Sequence, residues 1–254
     1  MRIFLCEGTA DGILTGIYDA WASRLGHENV KLQVQENWNL ELFAEYEEVC
    51  TDGEKAEKVA RTIKRELGEE TWESIFQAAL ADAPERADSI YRTVAAGLSG
   101  RRGRQDLMAC LQNPDICKVF ELSRRVGREV HHYLGFLRFR ELAGGILFSE
   151  IAPEARVLPL MGEHFAGRYP GEHFLIYDRT HGEFLAHQAG RPWVLVQGEE
   201  LNREQIQACS EEEEKFQKLW QAFVHTIAIE ARTNPKLQLQ MLPKRFRAYM
   251  TETF

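Results

Sequence analysis

The 254-residue chain has no Cys-x-x-Cys pair, no run of roughly 18 apolar residues and no internal repeat at a solenoid period. Each absence removes a class of protein. The five cysteines (Cys6, Cys50, Cys110, Cys117 and Cys209) are odd in number and scattered. They suggest neither a structural zinc site nor a thioredoxin-like motif, and a reduced, cytoplasmic protein is expected. Without a long apolar run a membrane span is not expected, and the apolar stretch in MRIFLCEGTADG is too short for a secretory signal. Familiar catalytic signatures are missing as well. GTADG matches neither a P-loop nor a dinucleotide fingerprint, and no Ser or Cys stands in a known nucleophile motif. His164, His173, His181 and His187 follow no metal-binding spacing. No metal and no cofactor are therefore expected, and no catalytic residue is assigned.

What the chain does have is charge, unevenly placed. The net charge is −8, and residues 1–57 carry all of it, with twelve acids against four bases. The rest balances at twenty-seven of each sign, leaving room for local patches.

Hydrophobic periodicity sketches an α+β fold. RIFLCE reads as a short buried strand, ILTGIYDAWASRLG as a helix with Ile13, Ile17, Ala20 and Trp21 at helical spacing, and VKLQVQ as a second strand. A helical section follows, with GEKAEKVARTIKREL and EETWESIFQAALA amphipathic and PERADSIYRTVAAGL opening on a proline suited to a first helical turn. SGRRGR interrupts it as a loop, and NPD at 113–115 starts the next helix. The period then changes. GFLRFREL, GGILFSEIA, HFLIYD and GEFLAHQ read as strands, with RVLPLMGEHFAGRY as a helix crossing them and RTHG as a turn. An antiparallel sheet with a crossing helix is expected, followed by a long C-terminal helix over EEEEKFQKLWQAFVHTIAIEAR. The expected organisation is one integrated domain over 1–254. Its subregions are an acidic strand–helix start (1–52), a helical section (53–134), the sheet unit (135–197) and a C-terminal helix with a basic tail (198–254).

The most informative stretch is SRRVGREVHHYLGFLRFR at 123–140. At about 100° per residue, Val119, Leu122, Val126, Val130 and Tyr133 share one helical arc. Arg124, Arg125, Arg128, His131 and His132 occupy the opposite one. Gly127 lies between the faces, where its cost relative to alanine suggests a packing reason. Arg138 and Arg140 follow at strand spacing, which places both on one sheet face. Charge runs of this kind are most often only solvated faces. Here, however, Glu121 and Glu129 alone oppose six formal cations between Lys118 and Arg140, five of them arginines. A guanidinium suits phosphate oxygens better than an ammonium does. A second stretch, 231–251, contains no acid at all, while Arg232, Lys236, Lys244, Arg245 and Arg247 contribute +5 with Phe246 and Tyr249 interleaved. Cations among aromatics suit unstacked nucleic acid. The alternative is a tail folded onto the acidic N-terminal segment.

The blocks SRRVGREVHHYLGFLRFREL, VLPLMGEHFAGRYPGEHFLIYD and TIAIEARTNPKLQLQMLPKRF, together with the opening IFLCEGTADGILTGIYDAW, resemble the bacterial family labelled "probable DNA metabolism protein", a domain otherwise of unknown function. That family usually carries an aromatic and an aspartate where Cys6 and Glu7 stand. Its members are typically encoded beside a radical-SAM protein thought to modify or repair DNA, and a related domain is fused in some bacteria to a uracil-DNA glycosylase-like domain. The resemblance implies an association with DNA repair and supplies no catalytic residues. Three functions remain open: a nucleic-acid-binding accessory to a radical-SAM partner, a glycosylase-like or nuclease-like DNA-processing enzyme, or a protein-interaction subunit of that partner. The first implies DNA as a partner, single-stranded or damaged, bound by the basic residues named above.

Overall fold

The computed structural model describes residues 1–37, 40–99, 107–142, 144–197, 211–227 and 234–250. The chain divides into two compact units, Met1–Arg128 and Glu129–Phe254. The GRRGR loop, Cys209 and Arg232 fall outside the described residues.

In the first unit β1 (Arg2–Cys6) and β2 (Val30–Val34) are almost wholly buried; the apolar run of β1 suits a strand covered on both faces, whereas β2 alternates and buries Gln33 along with Val30, Leu32 and Val34. A third strand not foreseen from the sequence, β3 (Glu45–Glu48, EYEE), pairs with the other side of β1. The order is β2-β1-β3, all parallel. EYEE carries none of the apolar alternation that marks a strand in sequence, so its partner, not its composition, makes it one.

α1 (Ala10–Ala22) is capped by Thr9, whose hydroxyl accepts from the Gly12 N–H at 3.0 Å. α2 (Gly53–Leu67) is capped by Asp52, which accepts from the N–H groups of Glu54 and Lys55. It ends at Gly68, whose φ of +93° turns the chain into α3 (Glu69–Ala79) at a backbone angle glycine tolerates best. α4 (Arg86–Ser99) follows the expected proline start by two residues. Asn113 caps α5 (Pro114–Phe136) by accepting from the N–H groups of Asp115 and Ile116. At 23 residues α5 is the longest helix among the described residues, and residues of both units lie on it.

The second unit holds a five-stranded sheet in the order β4 (Arg140–Leu142), β5 (Ile146–Ile151), β6 (Phe174–Asp178), β7 (Glu183–His187), β8 (Val194–Gln197). Its helix α6 (Leu158–Arg168) buries Leu158, Met161 and Phe165. The expectation of an antiparallel sheet is corrected here: β5 and β6 run parallel, whereas the other pairs are antiparallel. The reason is topological. A helix between two neighbouring strands carries the chain back to the end where it started, so the second strand must repeat the direction of the first.

Two further boundaries differ from expectation. GFLRFREL is not one strand, because α5 runs on to Phe136 and β4 begins only at Arg140. The C-terminal helix, α7 (Glu211–Ile227), is described over 17 residues, and the short helices α8 (Pro235–Met241) and α9 (Lys244–Arg247) come after it.

Candidate nucleic-acid interface

α5 presents the two faces that its period demands. Val119, Leu122, Val126, Val130 and Tyr133 are all buried, while Arg124, Arg125, Arg128 and His131 are exposed and His132 is half-buried. In the first unit the three arginines are held by uncharged groups. The Arg125 guanidinium donates to the Asp82 carbonyl at 3.0 Å, Arg128 Nε donates to the Arg124 carbonyl at 3.2 Å, and Arg124 lies over the Phe120 ring at 5.7 Å. Among the described residues none of the three has a carboxylate within ion-pair distance. Lys118 differs. It is bonded to Glu85, and that bond, with the Arg125 charge nearby, holds the Glu85 carboxyl below its ordinary value.

Gly127 has no tight neighbour. A Cβ there would meet only Gln77 Oε1 at 3.6 Å, so the packing reason expected for this glycine is not found.

In the second unit the remaining residues separate by role. His132 packs its ring against Phe136 at 5.8 Å and Phe246 at 5.2 Å, as part of an aromatic cluster with Tyr133. Arg245 is neutralised internally by Glu154 and by Glu129, the latter at 3.4 Å. Arg247 donates to the Leu242 carbonyl at 3.2 Å. Lys236 and Lys244 are exposed. Arg138 donates to the carbonyls of Gly135 and Leu137, and Arg140 stacks over Phe148 at 5.3 Å. Arg138 lies outside β4, so strand alternation does not pair it with Arg140. The two nevertheless line one cleft of about 360 Å³, together with Ser149, Glu150, Gln217, Gln221 and Tyr249.

In the sequence Glu129 is one of two acids available to neutralise the cations between Lys118 and Arg140. It is only 4 % exposed, and its carboxylate accepts from the backbone N–H groups of Glu154 and Ala155, each at 3.0 Å. The helical wheel carries the signal, because Glu129 falls about 20° from Leu122 at the margin of the apolar arc. Tyr133 lies in the same region, and burial, reinforced by the Glu129 charge, pushes its phenol well above the ordinary range.

A second buried polar group closes the β6–β7 hairpin. Asp178 is fully buried and accepts from the N–H groups of Thr180 and His181 and from His181 Nδ1 at 2.6 Å. Its cross-strand partner Glu183 binds Arg156 and accepts from the Gln197 amide at 2.9 Å. The aspartate fixes the imidazole orientation, an arrangement able to present Nε2 as a proton donor or acceptor. Among the described residues no group of three or more His, Cys, Asp or Glu side chains could hold a metal ion, and no helix is long and apolar enough to cross a membrane.

Fold and site together define a mixed α+β protein with an arginine-faced helix and, in its second unit, the buried carboxylates Glu129, Asp178 and Glu183. The family described as a domain of unknown function, DUF4130, matches residues 84–252, and the chain belongs to that family. The match takes in α5, the five-stranded sheet and α7 to α9, and it leaves β1 to β3 and α1 to α3 outside. No curated protein matches the chain.

Proposed function

We propose that this protein is a nucleic-acid-binding accessory in DNA repair or modification, acting with a radical-SAM partner. The observation that carries the reading is the set of exposed guanidinium groups of Arg124, Arg125 and Arg128, held by carbonyls and a ring and opposed by no ion-paired carboxylate among the described residues. Such groups retain their full charge for phosphate oxygens. The resemblance to the DNA metabolism family supports the choice of DNA, and it is the source of the radical-SAM partner. Arg138, Arg140, Lys236, Lys244 and Arg247 extend the basic set in the second unit, whereas the pairing of Arg245 with Glu129 and Glu154 argues for a structural part.

Fluorescence anisotropy with labelled single-stranded and duplex DNA, titrated at several salt concentrations, tests this. The variant R124A/R125A/R128A should bind more weakly, and its log–log salt slope should be shallower by about 2 to 3, since each phosphate contact contributes roughly 0.7–0.9. An unchanged slope and affinity would remove α5 from the interface.

The Asp178–His181 pair favours a second reading, a DNA-processing enzyme in which His181 moves a proton. His181→Ala, assayed on uracil-containing, alkylated and ultraviolet-treated oligonucleotides, discriminates it. An activity present in the wild type and lost in the variant would support the enzyme, and no activity in either would reject it.

A further inference from the structure

α7 leaves an apolar stripe in solvent. Phe216, Leu219, Trp220 and Phe223 follow one another at helical spacing and are 66, 65, 43 and 52 % exposed. Four large side chains in register go beyond the scattered apolar residues that any surface carries. Three of the four are aromatic, and the rings of Trp220 and Phe223 lie 5.8 Å apart.

Two clefts adjoin this stripe within the second unit. The first, of about 380 Å³, is lined by Arg138, Phe139, Glu213, Phe216, Gln217 and Trp220. The second is the cleft of Arg138 and Arg140 already described, of about 360 Å³. Arg138 and Gln217 line both, so the two form one continuous surface. Two carboxylates, Glu213 and Glu150, also line it. Glu213 accepts from the Gln217 amide at 2.8 Å, and Glu150 lies 3.8 Å from an Arg179 nitrogen.

We propose that this surface takes the unpaired bases of single-stranded nucleic acid, with Phe216 and Trp220 as stacking platforms and Arg138 and Arg140 beside the flanking phosphates. The inference rests on the nucleic-acid reading above and adds the strand state. Flat rings beside guanidinium groups and side-chain amides match the face, edge and backbone of an unstacked nucleotide. A base within a duplex has both faces covered by its neighbours and offers none to Trp220. A protein-docking helix would present the same exposed stripe. It would not need arginines and glutamines lining the adjacent clefts, and aliphatic packing is represented in the stripe by Leu219 alone.

The chemistry separates this surface from α5. Stacking involves no counterion release, so removing the rings should lower affinity without altering the salt slope. The test uses the full chain, a short oligothymidylate and a duplex of equal length. F216A/W220A should bind the oligothymidylate about tenfold or more weakly, with unchanged salt slope and unchanged duplex affinity. W220F, which keeps a ring, should retain most of the binding. Binding should also quench the wild-type tryptophan emission, and the quench should shrink in W220F.

Equal losses on both nucleic acids, or no loss on either, would overturn the stacking proposal and leave the α5 reading standing. Failure of the wild type to bind either nucleic acid would overturn both. If sedimentation shows that the wild type self-associates and F216A/W220A does not, with oligothymidylate affinity intact, the stripe is a contact between copies of this chain and the proposal fails.

Discussion

Replacing Glu129 with alanine should destabilise the second unit severely, although the residue sits in a helix whose neighbours point arginines at solvent. The carboxylate accepts from two backbone N–H groups, those of Glu154 and Ala155, at 3.0 Å each, and lies 3.4 Å from Arg245. It thereby anchors the loop between β5 and α6 to α5. A hydrogen bond to a charged group contributes about 1.5–3 kcal/mol, so the two N–H bonds together account for about 3–6 kcal/mol. E129A forfeits both N–H bonds at once, so a loss of about 3–6 kcal/mol is expected. E129Q keeps a carbonyl oxygen able to satisfy one N–H and should lose about half as much. R245A removes only the outer partner, which is 40 % exposed, and should cost about 1 kcal/mol or less. Urea unfolding followed by circular dichroism measures all three, and the ranking matters more than any single value. If E129A matched R245A, or fell within about 0.5 kcal/mol of the wild type, the anchoring role would be refuted.

Two glycines and one thiol provide further checks. Gly127 has room for a methyl group, so Gly127→Ala should stabilise the protein by about 0.5–1 kcal/mol, read as a raised urea midpoint. Gly162→Ala should do the opposite by roughly 1–3 kcal/mol, because a Cβ there would stand 2.5 Å from the Trp193 ring. Burial, only partly offset by the Arg86 charge, pushes the Cys6 thiol up to about 12. Iodoacetamide at mildly alkaline pH should therefore label the exposed Cys50 and Cys110 and spare Cys6 until the protein is unfolded, as peptide mapping would show. Early labelling of Cys6 in native protein would contradict its burial.

Much of the helical framework was legible in the amino-acid order. α2 spans GEKAEKVARTIKREL from end to end, and Thr9, Asp52 and Asn113 each stand at a helix start as capping residues do. The two faces of α5 followed from period alone. β3 was not legible, because its EYEE has no apolar alternation and its pairing with β1 depends on residues some forty positions away. Nor was the parallel pairing of β5 with β6, which requires knowing that the strands on either side of α6 are neighbours.

The candidate site divides along the same line. Periodicity determined that Arg124, Arg125 and Arg128 would face outward, since a helix sets the direction of each side chain from its own backbone. Only tertiary structure decided which charges are neutralised. Arg245 meets Glu129 and Glu154 from across more than ninety positions of chain, Glu129 turns inward to two loop N–H groups, and Arg138 shares clefts with Trp220 and Tyr249. Local geometry repeats with a fixed period and can be read in order. The partner of a charge is set by which distant segments the fold brings within a few ångströms, and no spacing in the sequence records that distance.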